Sequence, residues 1–185
     1  MDHQQFAELY DAHARAVYAH AVRMTGDRAG AEDIVSLTFL EAWRLRDTFD
    51  RVTGSRAWLL GVATNVVRNT RRAARRHRDA LARLPPPDPV PDPADAVVSR
   101  LTDTDRATAA LAVLGRLRHA DREVLVLSVW SGLSHDEVAR VCGVKVGTVR
   151  SRLSRARARA RARLRVLTAA QLAQHPSPTA GKGNP

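Results

Sequence analysis

The stretch Leu84–Ala94, LPPPDPVPDPA, cannot belong to a folded core, and it divides the chain. Prolines this closely spaced lack amide donors and fix an extended backbone, which gives a semi-rigid, polyproline-like spacer. Helical periodicity runs up to about Arg78 and resumes from Asp95, so the chain reads as two modules on one tether. A length of 185 residues with 4% aromatics suits two small helical domains better than one large core. The expected boundaries are a first domain over 1–78, a linker over 79–94, a second domain over 95–167 and a tail over 168–185. The end of that tail, rich in Pro, Gly, Ser and Thr without periodicity, is expected to be disordered.

No alternating strand pattern occurs in either module, so the fold class is all-α. In the first module, Phe6, Leu9, Tyr10, Val17, Ala21 and Met24 form an apolar stripe that stops at Gly26. A second helix buries Ala31, Ile34, Val35, Thr38, Phe39, Ala42 and Trp43, with Glu32 and Asp33 in its first turn, where carboxylates complement the dipole. A third starts near Arg56, carries Trp58, Leu59, Val62, Ala63, Val66 and Val67, and ends in the basic run RNTRRAARRHR.

The second module opens with a helix across Ala96–Leu117. It continues with REVLVLSVW, which Asp121 can cap and Gly132 ends. That helix is apolar nearly all round through Val124, Leu125, Leu127, Val129 and Trp130, as the central member of a small bundle should be. The segment Ser134–Arg165 then reads as a helix-turn-helix. Ser134 and Glu137 form a capping box for SHDEVARVC, Val138 and Val141 supply its apolar edge, and Gly143 supplies a left-handed stop.

In the helix that follows, Val146, Val149, Leu153, Ala156, Ala160, Leu164 and Leu167 form one apolar stripe. The opposite side centres on Ser151, with Thr148, Ser154 and Arg155 around it. Arg150, Arg157 and Arg161 lie on one flank and Arg152, Arg159 and Arg163 on the other, which suits a helix between two phosphate backbones. The Arg-Ala repeat alone is better read as a solvated amphipathic helix, or a membrane-surface or calmodulin-type helix. The capped short helix and turn before it favour DNA.

A formal net charge of +11 attracts the whole protein to polyanions, of which nucleic acid is the simplest. A second basic cluster, Arg68, Arg71, Arg72, Arg75, Arg76 and Arg78, continues the helix that carries Trp58 and Asn65. Cations beside an aromatic suit single-stranded nucleic acid, although Trp58 also fits an ordinary core position. No apolar run approaches a bilayer span and no N-terminal signal pattern is present, so no membrane insertion and a cytoplasmic location are expected.

Catalysis finds no footing in the sequence: there is no Gly-rich phosphate loop, no HExxH helix and no nucleophile elbow. Cys142, the only cysteine, permits no intrachain disulfide and reads as a small buried residue. The histidines are scattered, and His13 and His20 read as polar surface residues. A non-enzyme with no metal and no cofactor is expected.

The N-terminal half, FAELYDAHARAVYAHAVRMTGDRAGAEDIVSLTFLEAWR followed by RAWLLGVATNVVRNTRR, resembles the second conserved domain of sigma-70 family RNA polymerase sigma factors. The C-terminal half, LRHADREVLVLSVWSGLSHDEVARVCGVKVGTVRSRLSRAR, looks like their fourth domain. Having only these two domains and a short linker is similar to the extracytoplasmic-function (ECF) group. The resemblance implies core RNA polymerase and promoter DNA as partners, and the family's biology suggests an anti-sigma factor. It places Asp33, Glu41 and Trp43 near the clamp of the polymerase's largest subunit. It implies that Asn65 with Trp58 and the loop before it read the minus-10 element, where a base is flipped into a pocket, and that Arg68, Arg71 and Arg72 contact phosphates. Ser151, Ser154 and Arg155 match minus-35 reading positions, with Thr148, Arg150, Arg152 and Arg157 on the backbone. A stand-alone helix-turn-helix regulator is the alternative, separable because it binds duplex DNA tightly without polymerase.

Overall fold

The computed structural model describes residues 1–49, 54–83 and 104–174, without the side chains of 104–106 and 167–174. The proline run, the loop at 50–53, the expected helix start at Ala96 and the segment 175–185 lie outside these residues. Among the described residues the fold is all-α, with no strand.

Helix α1, His3–Thr25, starts at a capping box: the Asp2 carboxylate accepts from the Gln5 amide at 2.8 Å, and Gln5 Oε1 accepts from the Asp2 amide at 3.1 Å. It stops at Gly26, whose φ of 79° is left-handed. Helix α2, Ala29–Arg44, lays Ala31, Ile34, Phe39 and Ala42 against it. Helix α3, Ser55–Leu81, packs on both and buries Leu59, Leu60, Val62, Ala63 and Val67. From Asn69 onward every described residue of α3 is exposed.

His20 is not at the surface. It is 1% exposed, and its Nε2 lies 3.1 Å from Thr64 Oγ1 on α3. The Thr64 hydroxyl proton goes to the Leu60 carbonyl at 2.7 Å, so His20 Nε2 must donate. Nδ1 is then unprotonated and has no partner. His13 is half-buried beside Ser55 Oγ at 3.0 Å. Periodicity alone missed both, since each imidazole lies on the α1 side that α3 covers.

The second half contains α4, Thr104–Gly115; α5, His119–Leu125, continued by a π-type turn over Val126–Trp130; α6, His135–Cys142; and α7, Val146–Gln174. In the π turn the Ser131 amide reaches back to the Val126 carbonyl at 3.0 Å. Asp121 does not cap α5. Arg118 holds that position without a side-chain bond, and the Asp121 carboxylate is instead drawn to arginines of α7. Val124, Leu125, Val126 and Leu127 are buried as expected, whereas Val129 and Trp130 are 48% and 40% exposed. These two lie in the last turn before Gly132. The Trp130 ring meets the Arg23 guanidinium from α1 at 6.0 Å.

The apolar stripe of α7 is buried at Val149, Leu153 and Ala156, but Leu164 is 45% exposed because α7 outruns its neighbours. The helix continues to Gln174, beyond the expected tail boundary at Leu167, since the Ala, Leu and Gln of TAAQLAQ are good helix formers.

The two halves share one core. Ala21, Met24, Ile34, Leu60 and Val67 cluster with Val124, Leu127, Val138 and Cys142. Val141 of α6 sits over Gly61 of α3, where an added Cβ would meet Val141 Cγ2 at 3.5 Å. Arg122 fixes the seam: its Nη1 donates to the Met24 carbonyl at 2.8 Å and its Nη2 to the Gly115 carbonyl at 2.7 Å. One guanidinium thereby satisfies carbonyls at the C-terminal ends of both α1 and α4.

Candidate nucleic-acid interface

The turn between α6 and α7 is built as the sequence suggests. Ser134 Oγ accepts from the Glu137 amide at 3.2 Å, and Glu137 Oε2 accepts from the Ser134 amide at 2.7 Å. Those bonds to Ser134 hold the Glu137 carboxyl below its ordinary range. Gly143 is left-handed at φ 66°, and the Val144 amide reaches back to the Ala139 carbonyl at 3.0 Å, which closes a Schellman-type stop. The chain is thus re-aimed within three residues and α7 starts at Val146.

Burial of Val149, Leu153 and Ala156 against α5 and α6 sets the rotation of α7. Arg150, Ser151, Ser154, Arg155 and Arg157 are exposed, with Thr148 and Arg152 half-buried at the edges of the same surface. Ser151 Oγ rests on its own helix, donating to the Thr148 carbonyl at 3.0 Å, and is free to re-aim at a ligand. Arg159 has a different place from the one the flank pattern suggests: its Nη1 donates to Asp121 at 2.7 Å, and Asp121 is 3% exposed. Arg155 approaches the same carboxylate from the outside, at 3.9 Å.

On α3, Trp58, Asn65, Arg68 and Arg72 lie at helical spacing along one side, while Arg71 is exposed off that line. Trp58 is half-buried and meets the Phe49 ring edge-on at 5.2 Å between centroids. Asn65 Oδ1 accepts from Arg68 Nη1 at 3.3 Å. Arg68 is engaged across the seam: Nε and Nη2 donate to Glu123 at 2.6 and 2.9 Å. Arg72 and Arg71 remain at the surface.

Of the residues expected to meet polymerase, Asp33 is exposed and Glu41 is half-buried, 3.8 Å from Arg44. Trp43 is committed to an intramolecular cluster. Its ring lies 5.0 Å from Phe6 and 4.7 Å from His3, and the Arg46 guanidinium covers it at 4.7 Å. The sequence reading missed Leu37, Leu40 and Leu45, which are 45%, 60% and 37% exposed. They border a groove of 520 Å³ between α2 and α3, with Glu41, Asn65 and Arg68 also in its walls. The available signal was Leu37 and Leu40 falling outside the buried stripe of α2, with Leu45 just past its end.

Burial of Cys142 pushes its thiol up to about 11, so it is not poised as a nucleophile. Among the described residues no group of His, Cys, Asp and Glu is arranged to hold a metal ion.

A capped short helix, a tight turn and a second helix with a basic outer face are joined here to a helical half that carries a second basic strip. Family models agree on both halves: residues 9–77 match sigma-70 region 2 and residues 107–159 match sigma-70 region 4. The chain is 35% identical over 153 residues to the ECF RNA polymerase sigma factor SigL of Mycobacterium tuberculosis, covering 80% of this chain and 82% of the relative. It is 34% identical to the RNA polymerase sigma factor NccH of Alcaligenes xylosoxydans xylosoxydans, covering 84% of each. Among solved structures, the sigma factor RpoE in complex with the anti-sigma factor NepR, from Bartonella quintana, superposes with a TM-score of 0.70 at 28% identity. The match covers 88% of this chain and 98% of that one. CnrH in complex with the cytosolic domain of CnrY superposes with a TM-score of 0.64 at 30% identity, covering 89% and 90%. The chain belongs to the ECF RNA polymerase sigma factors, and its function is to direct RNA polymerase in transcription initiation.

Proposed function

We propose that the chain divides promoter recognition between its halves, with the minus-35 element read by α7 and the minus-10 element by α3. Ser151, Ser154 and Arg155 face the bases of the upstream element, while Thr148, Arg150, Arg152 and Arg157 hold its backbone. Asn65 and Trp58 sit at the downstream element, with Arg68, Arg71 and Arg72 on its phosphates. The observation that carries this reading is the rotation of α7. Val149, Leu153 and Ala156 are buried on one side, which leaves the side of Ser151, Ser154 and Arg155 to solvent.

Core polymerase docks on α2 at Asp33 and Glu41, beside the exposed leucines Leu37, Leu40 and Leu45; Trp43 braces that helix from behind. The domains are those of residues 1–78 and 95–167. The protein acts as a polymerase subunit with no catalytic chemistry of its own, and it works in the cytoplasm. Among the described residues no helix is long and apolar enough to cross a membrane. Because the structural relatives RpoE and CnrH were solved with the anti-sigma factor NepR and the cytosolic domain of CnrY, an anti-sigma partner is proposed for this chain as well. In vitro transcription with core polymerase on a genomic promoter pool tests the reading: start sites sharing two upstream elements are expected, and their absence sinks it.

A further inference from the structure

The last part of α3 carries its charge on one face, although every residue from Asn69 to Leu81 is exposed. At about 100° per residue, Arg71, Arg72, Arg75, Arg76 and Arg78 fall within one arc of about 160°. The rest of the circle holds Thr70, Ala73, Ala74, His77 and Ala80, and no arginine of residues 69–81 lies there. Burial did not dictate that segregation, since neither side is covered. Asp79, the only acid in the stretch, reaches Arg75 at 3.7 Å, with both side chains largely exposed. Arg71 with Arg75, and Arg72 with Arg76, stand four residues apart, where like charges disfavour a helix. An anion lying along that face removes the repulsion.

The same helix changes character along its length. Near its start Trp58, with the Phe49 ring edge-on at 5.2 Å, and Asn65 offer an aromatic ring and an amide, which suit unstacked bases. Beyond Val67 the helix has no Phe, Tyr or Trp. Arginines without rings fit a paired backbone, whose bases stack on one another and whose phosphates line the outside. From Asn65 to Arg78 the helix advances about 20 Å, the length of about six base pairs at about 3.4 Å each.

We infer that Arg75, Arg76 and Arg78 form a rail for the phosphate backbone of duplex DNA that adjoins the melted minus-10 element on its upstream side. The placing of the melted strand rests on the minus-10 role proposed above for Asn65 and Trp58. The side follows from chain order, since the end of α3 leads to the half proposed to read the minus-35 element. Arg71 and Arg72, proposed above for phosphates, begin the rail, so one helix crosses the junction between single and double strand. Contacts of this kind carry no sequence information. They fix register and make affinity depend on salt.

The test uses holoenzyme assembled from core polymerase and the full-length chain, either wild type or carrying Arg75→Gln, Arg76→Gln and Arg78→Gln together. Two fluorescein-labelled probes come from one promoter that the wild-type holoenzyme transcribes. One is the non-template strand across and just upstream of the minus-10 element; the other is the same strand paired to its complement only immediately upstream of that element. The variant is expected to bind the half-duplex probe at least about tenfold more weakly, with a slope of log affinity against log salt smaller by about 2 to 3. Its binding to the single strand should stay within about twofold of wild type. Lysine at the same three positions should bind both probes as wild type does, because a point charge suffices for a phosphate contact. Equal losses on the two probes, or no loss on either, overturn the rail. Weaker assembly with core polymerase also overturns it, because the face would then be a protein contact. Asn65→Ala separates the two readings: if it leaves both probes bound as before while the triple change still weakens only the half-duplex one, the minus-10 assignment fails and the rail stands. Gln and Arg are comparable helix formers, so circular dichroism of the triple variant should match wild type. If helicity falls, Arg76→Gln alone is judged by the same criteria, with a slope change of about 1.

Discussion

Arg159 of the reading helix donates to the buried carboxylate of Asp121 at 2.7 Å, although its own side chain is 40% exposed. A carboxylate with so little water around it depends on its cation. Asp121 thereby pins α7 to α5 one turn beyond Arg155, whose guanidinium stands 3.9 Å from the same acid.

Arg159→Ala should therefore act on stability. Removing one partner of a buried ion pair costs about 3 to 5 kcal/mol in general. Here Arg155 can move in, and about 2 kcal/mol is expected. Urea unfolding should show a lower midpoint with an unchanged slope. A variant that unfolds like wild type yet binds DNA more weakly would return Arg159 to the phosphate contacts its place on the helical wheel suggested.

Arg155→Ala should do the reverse. Its side chain is 54% exposed on the solvent side of α7, so little packing is lost. A lost base contact costs about 1 to 3 kcal/mol at one position of the site. Transcription from a promoter library varied in its upstream element is the readout: preference at one base pair should flatten while total output from strong promoters persists. Uniform weakening across the library would assign Arg155 to the backbone.

How much of this was legible in the sequence follows from the kind of interaction involved. The capping box of Ser134 and Glu137 and the stop at Gly143 are local, and residue type alone dictated them. The outward face of Ser151, Ser154 and Arg155 followed from helical period, because one buried stripe determines its opposite side. The seam could not be read that way. Arg68 and Glu123 are 55 residues apart, and nothing in either local pattern marks them as partners. Asp121 looked like a cap because it stands near a helix start, and only the arrival of α7 explains its burial. His20 reads as polar by type but is buried by α3, a tertiary effect that α1 does not record.

Leu40→Asp tests the polymerase surface. Leu40 is 60% exposed on α2, so the substitution should shift folding stability by no more than about 0.5 kcal/mol. An added carboxylate in an apolar contact should nevertheless lower affinity for core polymerase by about tenfold or more, measured by surface plasmon resonance. Unchanged affinity would place the docking surface elsewhere on the first domain.

His20 makes the protein sensitive to acid. Burial first of all, and Arg23 in addition, lowers its pKa from 6.5 to about 4, against a smaller opposing effect of Glu123. The neutral ring donates through Nε2 to Thr64 and has no buried acceptor for a second proton. A histidine depressed in the folded state contributes stability that is fully present above its unfolded value of 6.5. That contribution is lost as pH falls toward the folded value near 4. The shift corresponds to about 3 kcal/mol of lost stability at pH 4. His20→Gln should flatten this part of the profile between pH 6.5 and 4, because an uncharged side chain can still donate to Thr64 and takes up no proton. Chemical denaturation of the two proteins across that range measures it. Parallel losses in wild type and variant would mean that other groups, and not the imidazole enclosed between α1 and α3, govern acid unfolding.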